Sequence, residues 1–190
     1  GKAIVGPLSL SRKCLMTRRY TKISMVLALA AFALLVCFNN LSDYGSNFAF
    51  VQHVLQMDTT FPGNSAMYRA VSTPWSWHAA YALIIAGEGL CGLLLLGALA
   101  LWRARKASGA AFDAAKALAI AGATLGFLVW FFGFMVVGGE WFLMWQSSTW
   151  NGQDAAFRFY ATLLGVLIFL NQSDANPDNT LGHEKRQPHC

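Results

Sequence analysis

The stretch from Trp75 to Trp102, WSWHAAYALIIAGEGLCGLLLLGALALW, constrains this chain more than any other. It holds about 28 residues of nearly unbroken apolar sequence, against the roughly 20 that a helix needs to cross the hydrocarbon of a bilayer. One ionisable residue, Glu88, sits near its middle. Aromatic residues mark both ends, where amphipathic rings settle at headgroup level, and Arg103, Arg105 and Lys106 follow at once. This is a membrane span with a charge buried in it, and the rest of the chain is placed from it.

Composition agrees. Of the 190 residues 56% are hydrophobic and 12% charged, about half the charged share of an ordinary soluble domain. A formal charge of +5 would suggest nucleic acid if it lay on a folded soluble face. The basic residues instead flank hydrophobic segments, the pattern of cytoplasmic loops, so no nucleic-acid partner is expected. Cys37 and Cys91 lie in apolar runs, Cys14 and Cys190 in polar tails, and no CxxC spacing points to zinc or a disulfide framework.

Residues 1–15 precede Met16 of MTRRYTK and read as an N-terminal extension or an expression remnant. A four-span membrane domain over 16–172 follows, with spans at about 23–41, 75–102, 117–139 and 155–170. The first span is too long for a signal-peptide core and is read as a retained helix, with Ala30, Ala33, Cys37 and Asn40 on a small-residue face. In the connection after it, Tyr44, Phe48, Val51 and Leu55 recur at i, i+4, i+7 and i+11. That spacing predicts a short amphipathic helix, capped by Ser46 or Asn47, lying in the interface or over the mouth of the bundle. In the third span Ala119, Gly122 and Gly126 continue at helical spacing, and the last two form a GxxxG for close packing. Trp141, Trp145 and Trp150 form an aromatic belt in the second outer connection, and residues 173–190 make a polar tail whose composition predicts disorder. The fold class is all-α: a polytopic four-helix transmembrane bundle with one amphipathic helix in its first outer loop. Lys and Arg gather before span one and after span two, while the outer connections hold only Arg69 and Arg158, which puts both termini in the cytoplasm.

Glu88 is the sharpest candidate for chemistry, because an ionisable group at bilayer depth costs about 2.5 kcal/mol or more. His78 and Tyr81 precede it on the same helix face. Apolar surroundings disfavour the charged carboxylate, which suits a proton relay, a hydrogen bond to a ligand, or a structural bond to an asparagine, tyrosine or carbonyl of a neighbouring helix. Glu140 and Arg158 end consecutive spans at similar depth, and an interfacial salt bridge accounts for both. His53 and His78 sit in a loop and at a helix end, a poor arrangement for a bis-histidine haem, and His53, Met57 and Asp58 select no metal geometry. No phosphate loop, nucleophile elbow or metalloprotease motif is present, so no catalytic residue is assigned and a non-enzymatic role is favoured.

The strings NNLSDYGSNFAFVQHVLQMDTTFPGN and WNGQDAAFRFY, together with the glutamate-bearing span, resemble an uncharacterised bacterial family of small four-span integral membrane proteins of unknown function. The resemblance covers about Met16 to Leu170. It implies a bacterial inner-membrane protein and supplies no reaction or cofactor. Both strings fall on the outer side, so a shared surface there would use Asn39, Asn40, Asp43, Tyr44, Asn47, His53, Trp150, Asn151, Gln153 and Arg158, with Glu140 beside them.

These features point first to a non-catalytic accessory or scaffold subunit, docked through its small-residue faces and outer amphipathic segment onto other membrane-protein subunits. The alternatives are a small proton-linked carrier or ligand sensor using Glu88, and a haem or quinone redox module. No cofactor is expected beyond bound lipid.

Overall fold

The structure is a computed structural model that describes residues 7–175, with side chains from Lys13 onward. Four helical stretches are long and apolar enough to cross a membrane: Lys13–Ser42, Pro74–Ala104, Gly109–Trp141 and Gln153–Asn171. No strand occurs among the described residues. The first stretch lies within α1 (Pro7–Ser42), and a bend at Asp43 turns the chain directly into α2 (Tyr44–Gln56). The second is α3 (Pro74–Leu95) followed by α4 (Ala98–Ala104); Pro74 opens α3 at the position where a missing N–H is harmless. The third comprises α5 (Gly109–Ala114), α6 (Ala117–Phe127) and a π-helix over Leu128–Trp141, and the fourth is α7 (Gln153–Asn171).

α3 lies between α1 and α6, and α7 closes the ring by packing on α6, on the π-helix and on α1. Small residues let these helices approach. Ala30, Ala33 and Ala119 are buried, a Cβ on Gly122 would stand 2.8 Å from the backbone nitrogen of Leu95, and one on Gly126 would stand 2.8 Å from Cys91 Sγ. Outside this core the surface is apolar: Leu83 is 75% exposed and Phe38 63%, with Leu35, Leu93 and Ile168 similarly bare. In water such a belt would be an aggregation surface; against acyl chains it costs nothing.

The amphipathic helix forms where its stripe places it. Tyr44, Phe48, Val51 and Leu55 pack with Tyr81 and Ile85 of α3, so α2 folds over one end of the bundle. Its cap differs from expectation: Ser46 and Asn47 lie inside the first turn, Asp43 takes the cap position, and Ser46 Oγ donates to Asp43 Oδ2 at 2.8 Å. The π-helix is a second difference. Phe142 N donates to Val137 O at 3.0 Å, the wider i→i−5 bond, and Gly139 lets the Phe134 carbonyl come within 3.2 Å of where a Cβ would stand.

Candidate functional site

Three elements bring polar groups to one point. The last turns of α1 carry Asn40, the first turns of α2 carry Asn47, and α3 presents Tyr81 and Glu88 seven residues apart on its inward face. Glu88 is only 2% exposed. Its Oε2 accepts a 2.7 Å hydrogen bond from Asn40 Nδ2. Asn40 Oδ1 in turn accepts from Asn47 Nδ2 at 2.8 Å, and the Tyr81 hydroxyl donates to the Asn40 backbone carbonyl at 3.2 Å. That last bond answers one of the carbonyls left free at the end of α1. Asn40 is thus the hub through which the glutamate is held.

The cluster lines a cavity of about 230 Å³. The π-helix contributes Trp130 and Phe134, α2 contributes Phe50 and Val51, and the first turns of α7 contribute Ala155, Ala156 and Phe159. By the share of liquid volume a water occupies, about 30 Å³, the space would hold about eight. Among the described residues no lysine, arginine or histidine lines it. Glu88 Oε1 takes no hydrogen bond from the described residues, so the site offers one uncommitted carboxylate oxygen in an aromatic chamber.

The remaining sequence-derived candidates divide into groups. Tyr44 and His78 share a 2.8 Å hydrogen bond, the rings of Tyr44 and Phe48 stack on His78, and Tyr81 is tilted against Tyr44. His53 pairs with Asp58 at 2.7 Å and lies flat on Trp150, with ring centroids 4.6 Å apart. The Gln153 side chain covers Gly139, and its backbone N–H donates to Asn151 Oδ1 at 3.0 Å. Asn39 and Asp43 are exposed, and the Asn39 carbonyl accepts from Asp43 N at 2.9 Å. The expected Glu140–Arg158 salt bridge is not formed. Both side chains are exposed; the Glu140 carbonyl accepts from Arg69 Nη1 at 3.5 Å, and Arg158 borders an apolar groove between α1 and α7.

A second cluster, at the opposite end of the bundle, has no counterpart among the sequence-derived candidates. The Asp174 side chain is fully buried and meets Lys22 at 2.5 Å, Lys116 at 2.7 Å and Arg18 at 3.1 Å. Asp113 takes Lys116 at 2.7 Å and accepts from the Asp174 backbone N–H at 3.0 Å. Lys22 and Lys116 also donate to the Gln172 carbonyl, at the negative end of α7. Burial pushes the Asp174 carboxyl up, and the hydrogen bonds from Lys116 and Lys22 outweigh it, holding the group below the usual carboxylate range. The polar tail expected to be disordered from residue 173 therefore begins as a bound strap; residues 176–190 lie outside the described residues. Only the basic half of this cluster was visible in sequence, as flanking charge.

A family model described as "Predicted small integral membrane protein (DUF2165)" matches residues 18–173. No curated protein and no solved structure matches the chain.

Proposed function

The chain belongs to this family of predicted small integral membrane proteins, and we propose that it is a ligand-binding member, a small carrier or sensor whose site is the Glu88 cavity. One observation carries this reading: a carboxylate buried to 98% of its surface is bonded through one oxygen and lines a space large enough for a small molecule. A glutamate with only a packing role needs no such space beside its second oxygen, because protein interiors close to crystal-like density around groups that merely pack.

The alternative role as an accessory subunit of a larger complex has less support, because the small-residue faces it would dock through lie inside the bundle. Ala30, Ala33, Ala119, Gly122 and Gly126 pack against this chain's own helices. The orientation that accompanies the proposal puts the basic end, with Arg18, Arg19, Lys22, Arg103, Arg105 and Lys116, in the cytoplasm of a bacterium, and the Glu88 cavity in the outer half of its inner membrane. Bound lipid belongs to the same reading: the apolar groove between α1 and α7, about 430 Å³, has Arg158 on its border as a headgroup contact.

The test is to purify the protein from its native membrane in mild detergent, denature it, and identify released small molecules by mass spectrometry, beside Ala156→Leu, which fills the cavity. A compound released by the parent protein and absent from the variant supports the reading. Identical extracts, combined with a higher melting temperature for the filled variant, would make the cavity a packing void.

A further inference from the structure

Resting on that reading of the Glu88 cavity, we infer that its ligand is a small organic cation with an apolar body, an ammonium compound that enters sideways from the bilayer. The polar groups in the chamber set the charge. The Asn40 amide N–H is committed to Glu88, the Asn40 side-chain oxygen to Asn47, and the Tyr81 hydroxyl to the Asn40 carbonyl. Each amide nitrogen keeps a second N–H, and Oε1 of Glu88 is the charge-bearing atom left without a partner among the described residues, so the chamber disfavours anions and offers a cation a charged contact. An ionised Glu88 needs a positive charge beside it, and among the described residues no basic side chain lines the cavity. A proton neutralises the carboxyl when the site is free, and a cationic ligand takes that proton's place.

The walls set the body. Trp130, Phe134 and Phe159 line the same cavity as the carboxylate, with Trp130 and Phe159 edge to face at 5.6 Å. Aromatic faces around a cation are the recognised way to hold a quaternary or alkylated ammonium, which a strongly hydrated inorganic ion does not match. The route follows from a neighbouring cavity of about 250 Å³, which shares Phe50, Val51, Ile84 and Phe134 with the first. Leu83 and Phe132 border this second space and are themselves exposed on the apolar belt. A lipophilic cation partitioned in the bilayer thus meets an apolar vestibule that shares a wall, Phe134 included, with the Glu88 cavity.

The experiment uses an isosteric pair. Binding of benzyltrimethylammonium and of neopentylbenzene, in which carbon replaces nitrogen, is measured by calorimetry on the full-length protein in nanodiscs. Wild type, Glu88→Gln, Ala156→Leu and Ala155→Trp are compared; Ala155 is exposed and borders the cavity, so its variant plugs the site if Ala156→Leu fails to fold. The expected result is that the cation binds at least tenfold more tightly than its neutral twin, that Glu88→Gln removes that preference while leaving the neutral compound unchanged, and that the plugging variants abolish both. If the two compounds bind equally and Glu88→Gln is indifferent while plugging still blocks them, the cation assignment falls and the ligand site stands. If neither compound binds, or if plugging changes nothing, both fall.

Discussion

At the level of single residues the weight rests on Asn40, which is bonded at once to Glu88, Asn47 and Tyr81. Asn40→Leu keeps the backbone carbonyl that takes Tyr81 but strands two polar groups, Glu88 Oε2 and Asn47 Nδ2, and should cost about 1–3 kcal/mol, the ordinary penalty for an unmade buried hydrogen bond, read as a lower melting temperature in detergent. Adding Glu88→Leu should recover part of that loss, because an apolar pair replaces an orphaned carboxyl; a further drop would show that Asn40 acts independently of Glu88. Glu88 stood out in sequence because a lone charge in about 28 apolar residues has no bland reading. Its partner did not. Asn40 lies on the far side of a loop from Glu88, and only the folded chain brings an amide of α1 against a carboxyl of α3.

At the level of elements, close packing is concentrated where a glycine faces a backbone. A Cβ on Gly122 would stand 2.8 Å from the Leu95 nitrogen, a main-chain atom that has no rotamer to yield, so Gly122→Val should separate α6 from α3 and cost about 1–3 kcal/mol. Gly45, on the first turn of α2, has nothing within 4 Å, and Gly45→Ala should leave stability unchanged or raise it by up to about 1 kcal/mol through helix propensity. Parallel melting curves of the two variants separate the effects. The four long helices and α2 were legible because length, apolarity and a polar–apolar stripe are sequence properties. The π-helix over Leu128–Trp141 was not: in LVWFFGFMVVGGEW nearly every position is apolar, so no stripe remains to tell a wider turn from an α-helical one. GxxxG in α6 was visible as a close-packing signal, and the structure places it against α3, where a sequence cannot choose between an internal neighbour and a second chain.

At the level of the whole molecule, the two ends of the bundle are built differently: an aromatic, hydrogen-bonded chamber at one and an ionic clasp at the other. Asp174 ties α1 to the α5–α6 segment and to the end of α7 through Lys22, Lys116 and Arg18. Asp174→Ala leaves buried ammonium groups without their carboxylate and should cost about 3–5 kcal/mol. The clasp also has a definite pH dependence. Its carboxyl is held below the unfolded value, near 3.9 for an aspartate, so its stabilisation is complete above about that pH and is lost as pH falls through the lower folded value. Melting temperature should hold level from neutrality to about pH 5 and fall below about pH 4, with a shallower acid limb in Asp174→Asn; an identical limb in that variant would assign the acid loss to other carboxylates. Sequence showed the positive half of this clasp as flanking charge and took Asp174 for part of a solvated tail, because a charge count carries no information about which lone carboxylate will be enclosed. The position of Asp174 also sets a clock on biosynthesis. It lies beyond Asn171, the last residue of α7, so the clasping carboxylate is synthesised only after all four spans. Until then Lys22 lacks this anion and Lys116 has Asp113 alone, so a chain ended before Asp174 leaves its first and last spans unlatched.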